Sequence, residues 1–133
     1  MRFSVDTTSA MPVYAQLVAQ VKEAIAAGVL RPGESLPSLR ELAGQLRVNP
    51  LTVARAYRAL EAGGIIVTEH GRGSCVSPRA AAERAAFRRE ALEAAVNRLL
   101  AEAAQMGASP DEVWAVLAAR MRASAEPAPA PGE

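Results

Sequence analysis

The sequence predicts a mostly α-helical fold with a small β-hairpin: a winged helix-turn-helix followed by a two-helix C-terminal dimerisation segment. Three observations predict it. Two short amphipathic patterns between Leu36 and Leu60 are joined by a tight polar break, the arrangement of a helix-turn-helix. A β-branched run and a glycine-bearing connection follow at once, which reads as a hairpin. A stretch rich in Ala, Glu, Arg and Leu, free of Gly and Pro, then fills residues 79–106, and those residue types favour helix. The chain accordingly divides into a winged helix-turn-helix domain at 10–78, a two-helix segment at 79–123 and a disordered tail at 124–133.

Residues 1–10 hold a short apolar alternation, Phe3 and Val5, and read as an arm. Pro12 suits the first turn of a helix, where a missing N–H costs nothing. Tyr14, Leu17, Val18, Val21 and Ile25 form one stripe of that helix. Gly28 can adopt the left-handed conformation that stops it. Arg31-Pro32-Gly33-Glu34 is a turn signature. This first helix is expected to brace the two that follow.

Leu39, Leu42, Ala43 and Leu46 fall on one helical face. Ser38, with Glu41 three residues on, has capping-box spacing. The next helix places Val53, Ala56, Tyr57 and Leu60 inward, with Asn49 as its cap and Pro50 in its first turn. Gly63-Gly64 ends it. Ile65 to Thr68 reads as a strand, 69–73 as the connection, and Ser74 to Ser77 as the returning strand.

Beyond Pro78, one long helix is expected over Arg79 to Met106. Ala85, Leu92, Val96, Leu99, Leu100, Ala103 and Met106 gather on one side of it. Gly107 terminates it, and Ser109-Pro110-Asp111-Glu112 caps a second helix. Val113, Trp114, Val116, Leu117 and Met121 give that helix a broad apolar face. Two helices are too small for an independent core, so these faces are expected to pair with the same helices of a second copy. The tail alternates Pro and Ala, which cannot continue a helix.

With Val53, Tyr57 and Leu60 inward, Leu51, Arg55 and Arg58 point outward, with Thr52 on a flank. Arg40 and Arg47 come from the preceding helix and the turn. Ser38 to Arg58 contains four Arg and one acid, a local balance of +3. Cations for phosphates, with donors near a helix N-terminus for base edges, are what a DNA-reading helix needs. A solvated face on an ordinary helical hairpin is the plainer interpretation of the same charges. Leu51 could meet a thymine methyl, although single exposed leucines are common. At the hairpin tip, Gly71 and Gly73 flank Arg72. That arrangement lets the backbone approach closely and one arginine enter a narrow minor groove; taken alone it is a plain turn with one exposed arginine.

Composition bounds the rest. The 133 residues carry a net charge of +1, so any basic footprint must be local. Residues 1–78 hold eight basic and six acidic side chains, and 79–133 hold seven and eight. A single cysteine, Cys75, excludes an internal disulfide framework and fits a reducing cytoplasm. A small buried hydrophobe is the ordinary use of such a thiol, ahead of a redox sensor. No signal segment or membrane span is legible. His70 is placed near phosphates rather than in a metal or pH element. Trp114 and Met121 fit an interface better than a ligand site. One His, one Cys and no clustered carboxylates leave no nucleophile–base constellation, so no enzyme, cofactor or metal is expected.

Four ordered motifs carry a family resemblance: P-V-Y-A-Q-L at 12–17, A-G-V-L-R-P-G-E-S-L-P-S-L-R-E-L-A at 27–43, V-N-P-L-T-V-A-R-A-Y-R-A-L-E at 48–61 and H-G-R-G-S-C-V at 70–76. They resemble the N-terminal domain of GntR-type bacterial transcription regulators, and the short C-terminal part resembles the YtrA-like subfamily. The resemblance implies a small homodimeric regulator, often a repressor of an operon containing an ABC transporter. It implies DNA contacts from Arg40, with Ser38 capping its helix near phosphate, from Asn49 and Thr52 opening the recognition helix, and from Gly71, Arg72 and Gly73 at the wing tip. Where many members carry arginine this chain has Ala54, and Arg55 follows it.

The combined expectation is a regulator binding double-stranded DNA at an inverted-repeat operator through Ser38, Arg40, Arg47, Asn49, Leu51, Thr52, Arg55, Arg58, His70, Gly71, Arg72 and Gly73. Leu92, Val96, Leu99, Leu100, Ala103, Met106, Val113, Trp114, Leu117 and Met121 are the expected dimer contacts. Release from DNA requires a signal, such as a small-molecule effector, that the sequence does not name. The alternative is a winged helix serving protein–protein interaction without sequence-specific DNA binding.

Overall fold

Three helices, each with one apolar stripe, bury those stripes together and leave their other faces in water. The computed structural model describes residues 1–69, 71 and 73–125. Helix α1 spans Val13–Ala26, α2 Leu39–Leu46 and α3 Pro50–Ala62. From α1 come buried Leu17, Val21 and Ile25, from α2 Leu42 and Ala43, and from α3 Val53, Ala56, Tyr57 and Leu60. These are the stripes the 3.6-residue period picks out. Tyr14 and Val18, at the edges of the α1 stripe, are only half-buried.

Strand β1 (Ile66–Glu69) pairs antiparallel with β2 (Gly73–Val76), in a register that sets Ile66 opposite Val76 and Glu69 opposite Gly73. Ile66 and Val76 close the core from below the helices together with Leu30, Leu36, Ala80 and Phe87. The segment after α1 does more than turn. Val76 N–H donates to the Glu34 carbonyl at 2.8 Å, Gly33 N–H to that of Val76 at 2.8 Å, and Leu36 N–H to that of Ser74 at 2.9 Å. Ser35 bridges Cys75. The free edge of β2 is thereby covered, one remedy for an exposed strand edge.

The N-terminal arm is pinned. Gln20 accepts from Ser4 N–H at 3.0 Å, and Gln16 accepts from Asp6 N–H at 2.9 Å while donating to the Asp6 carbonyl at 2.8 Å. Phe3 and Val5 lie against the core. The Thr8 hydroxyl and backbone N–H both bond the Asp6 carboxylate and hold its pKa below the ordinary carboxylate value.

The single helix expected over 79–106 is corrected. A 3₁₀ turn occupies Pro78–Ala81, and α4 begins only at Arg84, running to Gln105. Ser77 caps the turn by accepting from Arg79 N–H at 3.1 Å. The physical reason is tertiary: Ala80 and Phe87 are both buried in the core. Arg84 Nε donates to the Ala26 carbonyl at 3.0 Å, and Lys22 pairs with Glu90 at 3.5 Å. Propensity alone does not register such ties.

The chain forms two compact units, residues 1–92 and 93 onward. In the second, the end of α4 meets α5 (Pro110–Ala125) through a reversal at Gly107. Ala108 N–H donates to the Ala103 carbonyl at 2.9 Å, and Ser109 caps α5 by accepting from Glu112 N–H at 3.1 Å. Ser124 and Ala125, expected in the disordered tail, are the last residues of α5; the remainder of that tail lies outside the described residues. Leu42, wholly enclosed at the junction of the stripes, tests the packing. Leu42→Ala is expected to cost about 2–5 kcal/mol in urea unfolding; a cost under about 1 kcal/mol would contradict a close-packed core.

Candidate nucleic-acid interface

The outward face of α3 is the candidate site, and its position is set from behind. Asn49 Oδ1 accepts from Leu51 N–H at 2.9 Å and fixes where α3 begins. Ser38 Oγ accepts from Glu41 N–H at 3.1 Å and does the same for α2. Tyr57 is buried on the inner face of α3, and its hydroxyl donates to the Pro37 carbonyl at 2.7 Å. Burial, with the Glu41 carboxylate as the lesser cause, pushes the Tyr57 phenol up to about 12. It therefore keeps its proton, and its donor role, across the physiological range. This bond ties α3 to the loop that enters α2.

Leu51, Arg55 and Arg58 are all exposed and succeed one another at helical spacing, so they make one stripe. Leu51 is 71% exposed, more than a packing role would allow. Thr52, in the first turn, is half-buried. Arg40 is exposed on the first turn of α2. Arg47, also exposed, is the C-cap of α2 with φ 56 and ψ 45. That left-handed conformation suits glycine, and a non-glycine residue in it is strained by roughly 1–2 kcal/mol. A strained position is a reason to look for a function of the side chain. At the wing tip Gly71 and Gly73 have φ of 79° and 72°, values that a β-carbon would resist. His70 and Arg72 lie outside the described residues.

One feature of the site was not legible in the sequence. Arg55 Cζ lies 3.7 Å from the centroid of the Tyr14 ring, a cation–π contact between α3 and α1. Tyr14 reads in the sequence as part of the α1 core stripe, and nothing in its spacing marks it for a role on the outer face of another helix. The backbone pairing of the Glu34 segment with β2 was likewise hidden, because that segment has no strand-like composition.

Of the expected dimer contacts, Leu92 is the last residue of the first unit and is exposed; in the second unit Val96, Leu99, Leu100, Met106, Trp114, Leu117 and Met121 are exposed as well. Val113 is half-buried and Ala103 is enclosed within its own hairpin. A shallow groove of about 370 Å³ runs between the two helices, lined by Leu99, Ala103, Met106, Val113, Val116 and Leu117 with Glu102, Glu112 and Arg120 at its sides. Among the described residues no group of His, Cys, Asp and Glu could hold a metal ion, and no helix is long and apolar enough to cross a membrane.

A family model described as "Bacterial regulatory proteins, gntR family" matches residues 13–76. The HTH-type transcriptional repressor YtrA of Bacillus subtilis is 46% identical over 76 residues, 57% of this chain and 58% of that protein. The solved structure of YtrA from Sulfolobus acidocaldarius, a GntR-family transcription factor, is 40% identical with a TM-score of 0.54, over 73% of this chain and 95% of that one. This chain belongs to the GntR family. It is YtrA-like within that family. A transcriptional regulator from Oenococcus oeni shares the architecture, at 32% identity and a TM-score of 0.62 over 88% of this chain and 97% of that one. The chain spans about three-fifths of the length of YtrA and of two other curated relatives it matches.

Placed in this GntR-family chain, the winged helix-turn-helix is the arrangement described above: α1 as brace, α2 and α3 as the helix-turn-helix, β1 and β2 as the wing. Its strained turn gives a test that needs no ligand. Arg47→Gly is expected to stabilise the fold by roughly 0.5–1 kcal/mol in chemical unfolding, the relief of left-handed strain less the entropy of glycine. A destabilised variant would mean that the arginine side chain holds the turn together.

Proposed function

We propose that this chain is a sequence-specific DNA-binding transcription regulator, acting as a homodimeric repressor in the bacterial cytoplasm. The observation that carries the reading is the bare face of α3: Leu51, Arg55 and Arg58 exposed in one stripe, with Arg40 on the first turn of α2 and Arg47 in the turn before α3 also exposed. Guanidinium groups suit phosphates and guanine edges through paired N–H donors. The repressor named among its relatives points the same way.

Ser38 and Asn49 serve first as caps and bring their helix N-termini, with partial positive charge, toward phosphate. Thr52 lies in the first turn of the reading helix. Gly71 and Gly73 allow the wing to approach a groove, with His70 and Arg72 beside them in sequence. The exposed apolar side chains of α4 and α5 support dimerisation, since a patch of this kind is seldom left in water. A two-fold dimer sets equivalent reading helices about 34 Å apart, or a multiple of that, so the operator is an inverted repeat. Occupying promoter DNA excludes polymerase, and a signal such as a small-molecule effector would release it. By resemblance, an operon containing an ABC transporter is the first candidate target. Transcription control of this kind requires no catalytic group.

Fluorescence anisotropy on DNA from upstream of the chain's own gene, against scrambled DNA at two salt concentrations, tests the reading. A specificity ratio of about 10³ or more, falling steeply with salt, is expected. Arg40→Ala should lose roughly 1–3 kcal/mol of specific binding. No binding at low salt would favour the protein–protein interaction module instead. The dimer is tested separately. Trp114→Glu places a charge on a side chain that is 72% exposed, and is expected to give monomers by light scattering while leaving the winged helix folded. A dimer of unchanged affinity would remove Trp114 from the interface.

A further inference from the structure

We propose that Tyr14 is a positioning residue for DNA recognition: its ring holds the guanidinium of Arg55 so that the in-plane N–H donors are presented to DNA in one fixed orientation. The inference rests on the DNA-binding reading above. It adds a residue of α1, outside the helix-turn-helix, to the machinery of the reading face.

The geometry carries it. Arg55 Cζ is 3.7 Å from the Tyr14 ring centroid. So close an approach requires the guanidinium plane to lie against the ring, since an edge-on group would drive a nitrogen into it. A stacked guanidinium has one face covered and its five N–H donors directed outward around its rim. Those donors are the groups that bind phosphate or guanine bidentately. Arg55 remains exposed, so the rim is open to a partner. Tyr14 itself is half-buried. It sits in the first turn of α1, whose stripe packs the inner face of α3. The ring is thus fixed by the core, and the arginine is fixed by the ring. A long, rotamer-rich side chain ordered in advance loses less freedom when it binds.

The phenol hydroxyl takes no part in this account, which separates it from a direct contact between Tyr14 and DNA. The test is a double-mutant cycle on the full chain, read as affinity for an operator obtained by selection from random DNA. Tyr14→Ala is expected to weaken specific binding about two- to fivefold, the range of an exposed cation–π contact. Tyr14→Phe should stay within about twofold of the unaltered chain, because the ring is retained. In an Arg55→Ala background, Tyr14→Ala should have almost no further effect, since the two residues act as one unit. Thermal unfolding of each variant reports on the fold. Should Tyr14→Ala fail to fold, Tyr14→Leu keeps the apolar bulk and should show the same loss of binding as expected for alanine. Equal losses from Tyr14→Ala with and without Arg55 would overturn the inference while leaving the DNA reading intact. A loss in Tyr14→Phe as large as in Tyr14→Ala would overturn it too, in favour of a hydroxyl contact. Failure of the unaltered chain to bind any DNA would overturn both.

Discussion

The structure depends on keeping one face of α3 dry while the opposite face stays bare. Val53, Ala56, Tyr57 and Leu60 are buried against α1 and α2, and the burial of such side chains is the main favourable term in a fold of this size. Leu51, Arg55 and Arg58 can remain exposed only because the inner face holds the helix without their help. The brace, the caps and the strand pairing all serve that division. α1 supplies the wall behind α3, Tyr57 ties it to the loop before α2, and Ser38 and Asn49 fix where the two helices start.

Several of these devices join local chemistry to the outer face. The turn between α2 and α3 puts a left-handed arginine, Arg47, where glycine would be relaxed. The first turn of α1 supplies a ring that lies under Arg55. Both place a cation at a fixed point on the surface, and both are costs or constraints that a merely stable helical hairpin would not need. The second compact unit shows the converse. Ser109 caps α5 and the chain reverses at Gly107, yet most of the large apolar side chains of this hairpin are exposed. That hairpin is locally well specified, but two helices alone cannot enclose the apolar side chains they carry.

The winged helix-turn-helix was legible because its signals are local and repeated. The stripe Leu39, Leu42, Ala43 and Leu46 has a period that only a helix gives, and Ser38, Asn49 and Pro50 mark helix starts with their own chemistry. The caps at Ser38 and Asn49 form as the spacing predicts. The hairpin was legible from β-branched residues on either side of glycines, with strand ends shifted by one residue. What escaped were interactions between distant parts of the chain. The break before α4 arises because Ala80, Arg84 and Phe87 reach back to α1 and the core, while their composition alone favours continuous helix. The Glu34 segment pairs through its backbone, which no side-chain pattern records. Tyr14 fits a core stripe so well that its outward partner on α3 could not be inferred from periodicity.

The most direct test of the central claim is selection of DNA sites from a random duplex library by the purified full chain. If the bare face of α3 reads bases and two copies act together, the selected DNA converges on an inverted repeat. Its half-sites lie about one helical turn apart, or a multiple of that. Recovery of sequences with no shared motif, or of a single asymmetric half-site, would contradict a dimer that reads DNA through this face.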